Sequence, residues 1–150
     1  MPSEQEKLPG INRLLENRYR LTPQRKSVLL ALTNAGRGEH PSAEEIYRYA
    51  KKYYPSIGLA TVYRTLELFT NLSIVQNLVL EDGCTRYELK RDLMHCHLIC
   101  LSCGKISEAD GVYSEQLLSG SHGFKVTSCI VQFFGYCDKC VNTGLAMLKS

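Results

Sequence analysis

Four of the seven cysteines fall into two Cys-x-x-Cys pairs, Cys100/Cys103 and Cys137/Cys140. A two-residue gap lets two thiolates face one ion, and four thiolates complete the tetrahedron that zinc prefers. The common four-cysteine pattern leaves roughly 15–20 residues between its knuckles; here there are 33. That gap has room for a helix and a strand, so zinc would close a whole subdomain. With sulfur at all four positions the ion has no open site, and its role is structural rather than catalytic. Two independent pairs of buried thiols, or a redox-active Cys-x-x-Cys, are the alternatives. Two such pairs, with Gly104 following the first, favour zinc.

His95 and His97 stand just before the first knuckle. Residues two apart on a strand point to one face, and Cys96 between them points to the other. One short segment can therefore feed two different metal sites. A lone histidine is usually a surface or core residue; a pair at strand spacing beside a zinc knuckle favours a ligand role. Their spacing does not name the remaining ligands.

These groups need elements to hold them. Thr22-Pro23 is an N-cap followed by proline at the first helical position. Val28, Leu29, Leu32 and Ala35 then form an apolar stripe that Gly36 stops. Ser42-Ala43-Glu44-Glu45 is a capping box; it opens a helix expected to run to about Tyr53, before Pro55. Gly58 precedes a third helix with Leu59, Val62, Leu66 and Phe69 on one face. Ile74–Leu80 and Cys84–Leu89 flank Glu81-Asp82-Gly83 and predict a β-hairpin. Helices followed by a two-stranded wing describe a winged helix-turn-helix.

Lys90–Met94 reads as a hinge. Beyond it, His97–Cys100 and Lys105–Glu108 predict short strands around the knuckle. Val112–Leu118 suits a helix, Lys125–Phe134 the longest strand, and Cys137–Leu148 a short closing helix.

Charge is distributed unevenly. Residues 1–64 carry 11 Lys/Arg against 6 Asp/Glu, whereas residues 65–150 carry 7 against 9. The first half can meet a polyanion and the second has no such bias. The polar N-terminus has no apolar signal-peptide core. No stretch approaches the roughly 20 apolar residues of a membrane span. A cytoplasmic location is expected, where cysteines bind metal more often than they form disulfides.

Five motifs, in order, resemble the ferric uptake regulator (Fur) family. They are Leu21-Thr-Pro-Gln-Arg25, His40-Pro-Ser-Ala-Glu-Glu-Ile-Tyr47, Gly58-Leu-Ala-Thr-Val-Tyr-Arg-Thr-Leu-Glu-Leu-Phe69, His97-Leu-Ile-Cys-Leu-Ser-Cys-Gly104 and Gly135-Tyr-Cys-Asp-Lys-Cys140. The resemblance spans residues from about 12 to 140. It implies an α+β fold, with a winged helix-turn-helix DNA-binding domain over residues 1–89 and an α+β dimerisation and metal-binding domain over residues 90–150. It implies structural zinc on Cys100, Cys103, Cys137 and Cys140, and a regulatory site on His40, Glu88, His95, His97 and Glu108. That nitrogen and oxygen set suits Fe2+, Mn2+ or Zn2+ and contains no thiolate.

A third site is frequent in the family. At its matching positions stand Met94, Cys96, Glu115 and Cys129, where carboxylate or histidine is usual. Either that site is lost and its cysteines are small buried fillers, or it has become a thiolate-containing sensing site or a redox pair. Cys84, near the wing turn, is expected to have no special role.

On the nucleic-acid side, the resemblance sends the helix beginning near Leu59 into a major groove. Thr61, Tyr63, Arg64 and Thr65 are its non-core positions. Tyr63 would pack on a thymine methyl, and Arg64 would reach guanine or phosphate. Arg20 and Arg25 would contact backbone, with Arg20 a candidate for the minor groove.

The implied function is repression of metal-uptake genes by a homodimer on a near-palindromic operator, with Fe2+ as the favoured regulatory ion. The alternatives within the family are a zinc- or manganese-responsive regulator and a peroxide sensor. A zinc hydrolase on His95 and His97 is disfavoured, because no helix-borne His-Glu pair accompanies them.

Overall fold

The computed structural model describes residues 8–36, 38–80, 83–90, 95–110 and 130–143. The chain divides into two compact units, Met1–Lys90 and Arg91–Ser150.

Among its described residues the first unit contains four helices and a hairpin. These are α1 (Ile11–Glu16), α2 (Pro23–Asn34), α3 (Ala43–Ala50), α4 (Leu59–Asn71), β1 (Val75–Val79) and β2 (Thr85–Leu89). The Thr22 hydroxyl accepts from the Arg25 backbone N–H and starts α2. Ser42 and Glu45 form both arms of the capping box that starts α3. Leu29, Ile46, Val62, Leu66 and Phe69 meet at the centre of one apolar core with Leu14 and Val75. The wing pairs antiparallel, with Gln76 opposite Glu88 and Val79 opposite Thr85.

Three expectations need correcting. Helix α3 ends at Ala50, not near Tyr53. There the ladder tightens, and the Tyr53 N–H reaches back only three residues to the Ala50 carbonyl. Leu59 is 37% exposed, because the first turn of α4 extends past the core. Thr65, expected on the outer face, is only 5% exposed and lines the inner face with Val62, Leu66 and Phe69.

Replacing Ser42 by alanine removes one arm of the capping box and leaves the Glu45 N–H without it. Urea unfolding should show a loss of about 1 kcal/mol, with the m-value unchanged.

The second unit contains β3 (His95–Cys100), β4 (Ile106–Asp110), β5 (Val131–Gly135) and a short helix α5 (Asp138–Asn142). The sheet order is β4-β3-β5, with β3 antiparallel to β4 and parallel to β5. The expected helix at Val112–Leu118, the hinge residues 91–94, the strand residues before Ile130 and the closing residues beyond Thr143 lie outside the described residues. Among the described residues, no helix is long and apolar enough to cross a membrane.

Candidate metal centres and nucleic-acid interface

The turn after β3 and the start of α5 bring the four cysteines together. Gly104 takes a φ of 70°, which lets the chain reverse so that the Cys100 N–H donates to the Lys105 carbonyl at 2.9 Å. Cys137 caps α5, and the Cys140 N–H returns to the Cys137 carbonyl at 2.9 Å. The Leu101 N–H donates to the Gly135 carbonyl at 2.8 Å, which ties the two knuckles across the sheet.

All four sulfur atoms lie within 4.8 Å of one another, and Cys103 Sγ sits 3.8 Å from Cys137 Sγ. A tetrahedron with Zn–S bonds of about 2.3 Å has sulfurs about 3.8 Å apart. The donor set and its size therefore fit zinc.

Backbone N–H groups of Cys103 and Cys137 hold the Cys100 thiol down to about 6. The Cys140 thiol is drawn down by Ser102, but burial and the three neighbouring sulfurs push it up to about 12. Four thiols this close favour full ionisation only with a cation among them, a condition that a bound zinc ion would meet.

Among the described residues the first unit pairs a histidine with a carboxylate. His40 Nε2 lies 3.3 Å from Glu88 Oε2, and both side chains are 2% exposed. The two residues are far apart in sequence. They meet because the Tyr87 N–H donates to the Pro41 carbonyl at 3.0 Å, which binds the approach to α3 against β2. Gln76, opposite Glu88 in the wing, donates its side-chain amide to Glu88 Oε1 at 2.5 Å. Sequence reasoning missed Gln76; counting the hairpin register outward from the turn would have found it.

The second unit carries a matching set. The His95 and His97 rings lie on one face of β3 with centroids 4.7 Å apart. Glu108 stands opposite His97 in the ladder, and its Oε1 is 3.9 Å from His95 Nε2. His97 is fully buried. Cys96 projects to the other face and is buried. Its expected companions Met94, Glu115 and Cys129 lie outside the described residues.

Along α4 the outward residues include Tyr63, 44% exposed, and Arg64. Arg64 Nε donates to the Ala60 carbonyl at 3.3 Å, which lays the guanidinium along the helix. Thr61 is half-buried beside them. Arg20 is exposed, and its carbonyl accepts from Arg25 at 2.7 Å. Arg25 in turn lies over the Tyr19 ring, 5.5 Å from its centroid.

A helix-turn-helix with a wing, a four-sulfur cluster of the size zinc requires and two largely enclosed histidine–carboxylate groups now stand together in one chain. The profile of the Ferric uptake regulator family matches residues 16–134. The chain belongs to the ferric uptake regulator family. It is thus a transcription regulator of the metal-responsive type and not an enzyme.

Among its relatives, the ferric uptake regulation protein of Bacillus subtilis is 38% identical over 128 residues, covering 81% of this chain and 85% of that protein. The peroxide operon regulator of the same organism is 34% identical over 136 residues, covering 87% of this chain and 90% of that protein. The crystal structure of the Vibrio cholerae ferric uptake regulator superposes with a TM-score of 0.65 at 30% identity, covering 84% of this chain and 98% of that one. The family assignment accounts for the α+β fold, with its winged-helix half and its zinc-cluster half.

Proposed function

We propose that this protein is a DNA-binding repressor that senses a divalent metal, with Fe2+ as its regulatory ion, and silences metal-uptake genes when the metal is plentiful. The reading rests on one observation. Each unit holds a largely enclosed group of nitrogen and oxygen ligands with no thiolate among them: His40 with Glu88 in one, and His95 and His97 with Glu108 in the other. One ion held by all five would neutralise the two carboxylates and tie the reading head to the second unit. Such a set suits Fe2+, Mn2+ or Zn2+ and offers no thiolate to favour zinc. The ferric uptake regulation protein among the relatives favours iron.

A homodimer on a near-palindromic operator in the cytoplasm completes the proposal. Exposed apolar side chains support it: Leu98 is 43% exposed, beside Phe133 at 46% across the β3/β5 ladder. Two heads related by a two-fold axis must match the half-site spacing. Arg64, Tyr63 and Thr61 would face base edges, while Arg20 and Arg25 would hold the backbone. The inward turn of Thr65 makes it a packing residue in this scheme.

The test is duplex binding by the zinc-loaded protein, titrated with Fe2+, Mn2+ and Zn2+ at buffered free concentrations. Binding should appear with Fe2+ within its cellular range and vanish in Arg64→Ala. Metal-independent binding would overturn the sensing role, and an unaffected Arg64→Ala would overturn the placement of α4. The peroxide-regulator relative supports a second reading, in which bound Fe2+ directs oxidation of His40 or His95. Peroxide treatment of the iron form would then add oxygen to one of those histidines, seen by mass spectrometry.

A further inference from the structure

Glu44 lies in the first turn of α3, exposed, and is not the acid of the capping box, which is Glu45. It reaches across to α4. The Tyr63 hydroxyl donates to Glu44 Oε1 at 2.6 Å, the length of a charge-assisted bond. The same bond is the leading cause of two opposite shifts: it holds the Glu44 carboxyl below its usual range and raises the Tyr63 phenol. Two wing residues act weakly on the pair: Arg86 attracts the Glu44 carboxylate, and Tyr87 disfavours a phenolate at Tyr63. Arg86 itself is anchored on Glu45 Oε2 at 3.0 Å.

A phenol has one proton to donate. With that proton committed to Glu44, Tyr63 presents only a ring face and an acceptor oxygen. It cannot donate to a phosphate, to thymine O4, or to the guanine O6 and N7 acceptors. The carboxylate adds a fixed negative charge that repels phosphate and any base edge made only of acceptors. What the pair can meet is a thymine methyl or an amino group, cytosine N4 or adenine N6. Arg64 alongside is donor only. Two neighbouring positions on α4 thus have opposite hydrogen-bonding characters, and Glu44 on a different helix sets one of them.

We infer that Glu44 is a specificity-determining residue, which holds Tyr63 as an acceptor-only contact and excludes phosphate and guanine edges from its position. The inference rests on the proposed DNA-binding reading.

The experiment is selection from a random duplex library by the full-length, Mn2+-loaded protein. It is followed by affinity measurements on the selected duplex and a scrambled one. In Glu44→Ala the ratio of the two affinities should fall by roughly tenfold, the scale of one lost base discrimination. The consensus should relax at one base pair per half-site, and scrambled DNA should bind tighter. Glu44→Gln keeps the helix and an acceptor for Tyr63 but loses the charge, so it should tighten scrambled binding with a smaller loss of ratio. An unchanged consensus and ratio in Glu44→Ala would overturn the inference. So would an equal weakening on both duplexes, which marks a purely structural role. If the wild-type protein selects no consensus with any metal, the parent reading fails and carries this one with it.

Discussion

Replacing Cys100 or Cys140 by serine should abolish zinc binding and unfold the second unit while the first stays folded. The second unit is a 60-residue piece, Arg91–Ser150, and modules of that size bury too little surface to be robust alone. A structural zinc ion contributes about 10–16 kcal/mol of apparent binding energy in small domains. Whole domains are stable by only about 5–15 kcal/mol. Loss of the ion therefore exceeds what the β4-β3-β5 sheet can absorb. The first unit has its own core around Leu29, Leu66 and Phe69, so calorimetry should show one transition kept and one lost. Metal analysis should fall by one zinc per chain.

Acid should act through the same cluster. Backbone N–H groups favour the Cys100 thiolate and hold that thiol down to about 6 against an ordinary 9.0. A lowered value contributes stability that is present above pH 9 and lost as pH falls through 6. Burial and the neighbouring sulfurs push the Cys140 thiol the other way, so its thiolate depends on a bound cation. Acidification towards pH 5 should then release the ion with uptake of protons. A serine variant that kept its zinc and both transitions would remove that cysteine from the cluster.

The sequence revealed those elements whose signals are local. Thr22-Pro23 and the Ser42/Glu45 box announce their helices, and the hydrogen bonds they promise are present. The wing followed from two β-rich runs around a turn. Helix α1 was missed because its six residues have no capping side chain and no acidic first turn. Packing makes it: Leu14 is fully buried in the first unit's core, and Gly10 at φ 76° admits Ile74 where a Cβ would clash. Thr65 was misplaced for a related reason. A polar residue in a helical pattern reads as outward, yet here Val62, Leu66 and Phe69 carry it into the core with them.

The candidate site divides along the same line. Cys-x-x-Cys pairs and His-x-His are spacing signals, legible without a fold. His40 beside Glu88 is not, because the contact depends on one backbone bond between Tyr87 and Pro41. Only the family resemblance put those two residues in the ligand set. Gln76 on Glu88 is legible once the hairpin register is counted from the turn, whereas Glu44 on Tyr63 joins two helices and only three-dimensional contact reveals it.

Replacing His97 by alanine should cost the protein its metal-dependent DNA binding and leave its structural zinc in place. His97 is the most enclosed of the proposed regulatory ligands, with no exposed surface, and it shares the β3 face with His95. Changing groups that merely orient a ligand costs about 10–100-fold in metal affinity, so removing a ligand should cost at least about 100-fold. That factor corresponds to about 2.8 kcal/mol. Linkage carries it to DNA: if metal tightens operator binding, DNA tightens metal binding by the same factor. At a fixed free Mn2+ that half-saturates the wild-type protein, His97→Ala should show almost no selective binding, and raising Mn2+ about 100-fold should restore it. Restoration separates a weakened ligand set from a damaged fold. Cys96→Ser supplies the contrast from the neighbouring position. Cys96 points away from the histidines on the same strand, so its variant should keep the wild-type Mn2+ response. A His97 variant with an unchanged Mn2+ response, or a Cys96 variant with the His97 phenotype, would put the regulatory ion on the other face of β3.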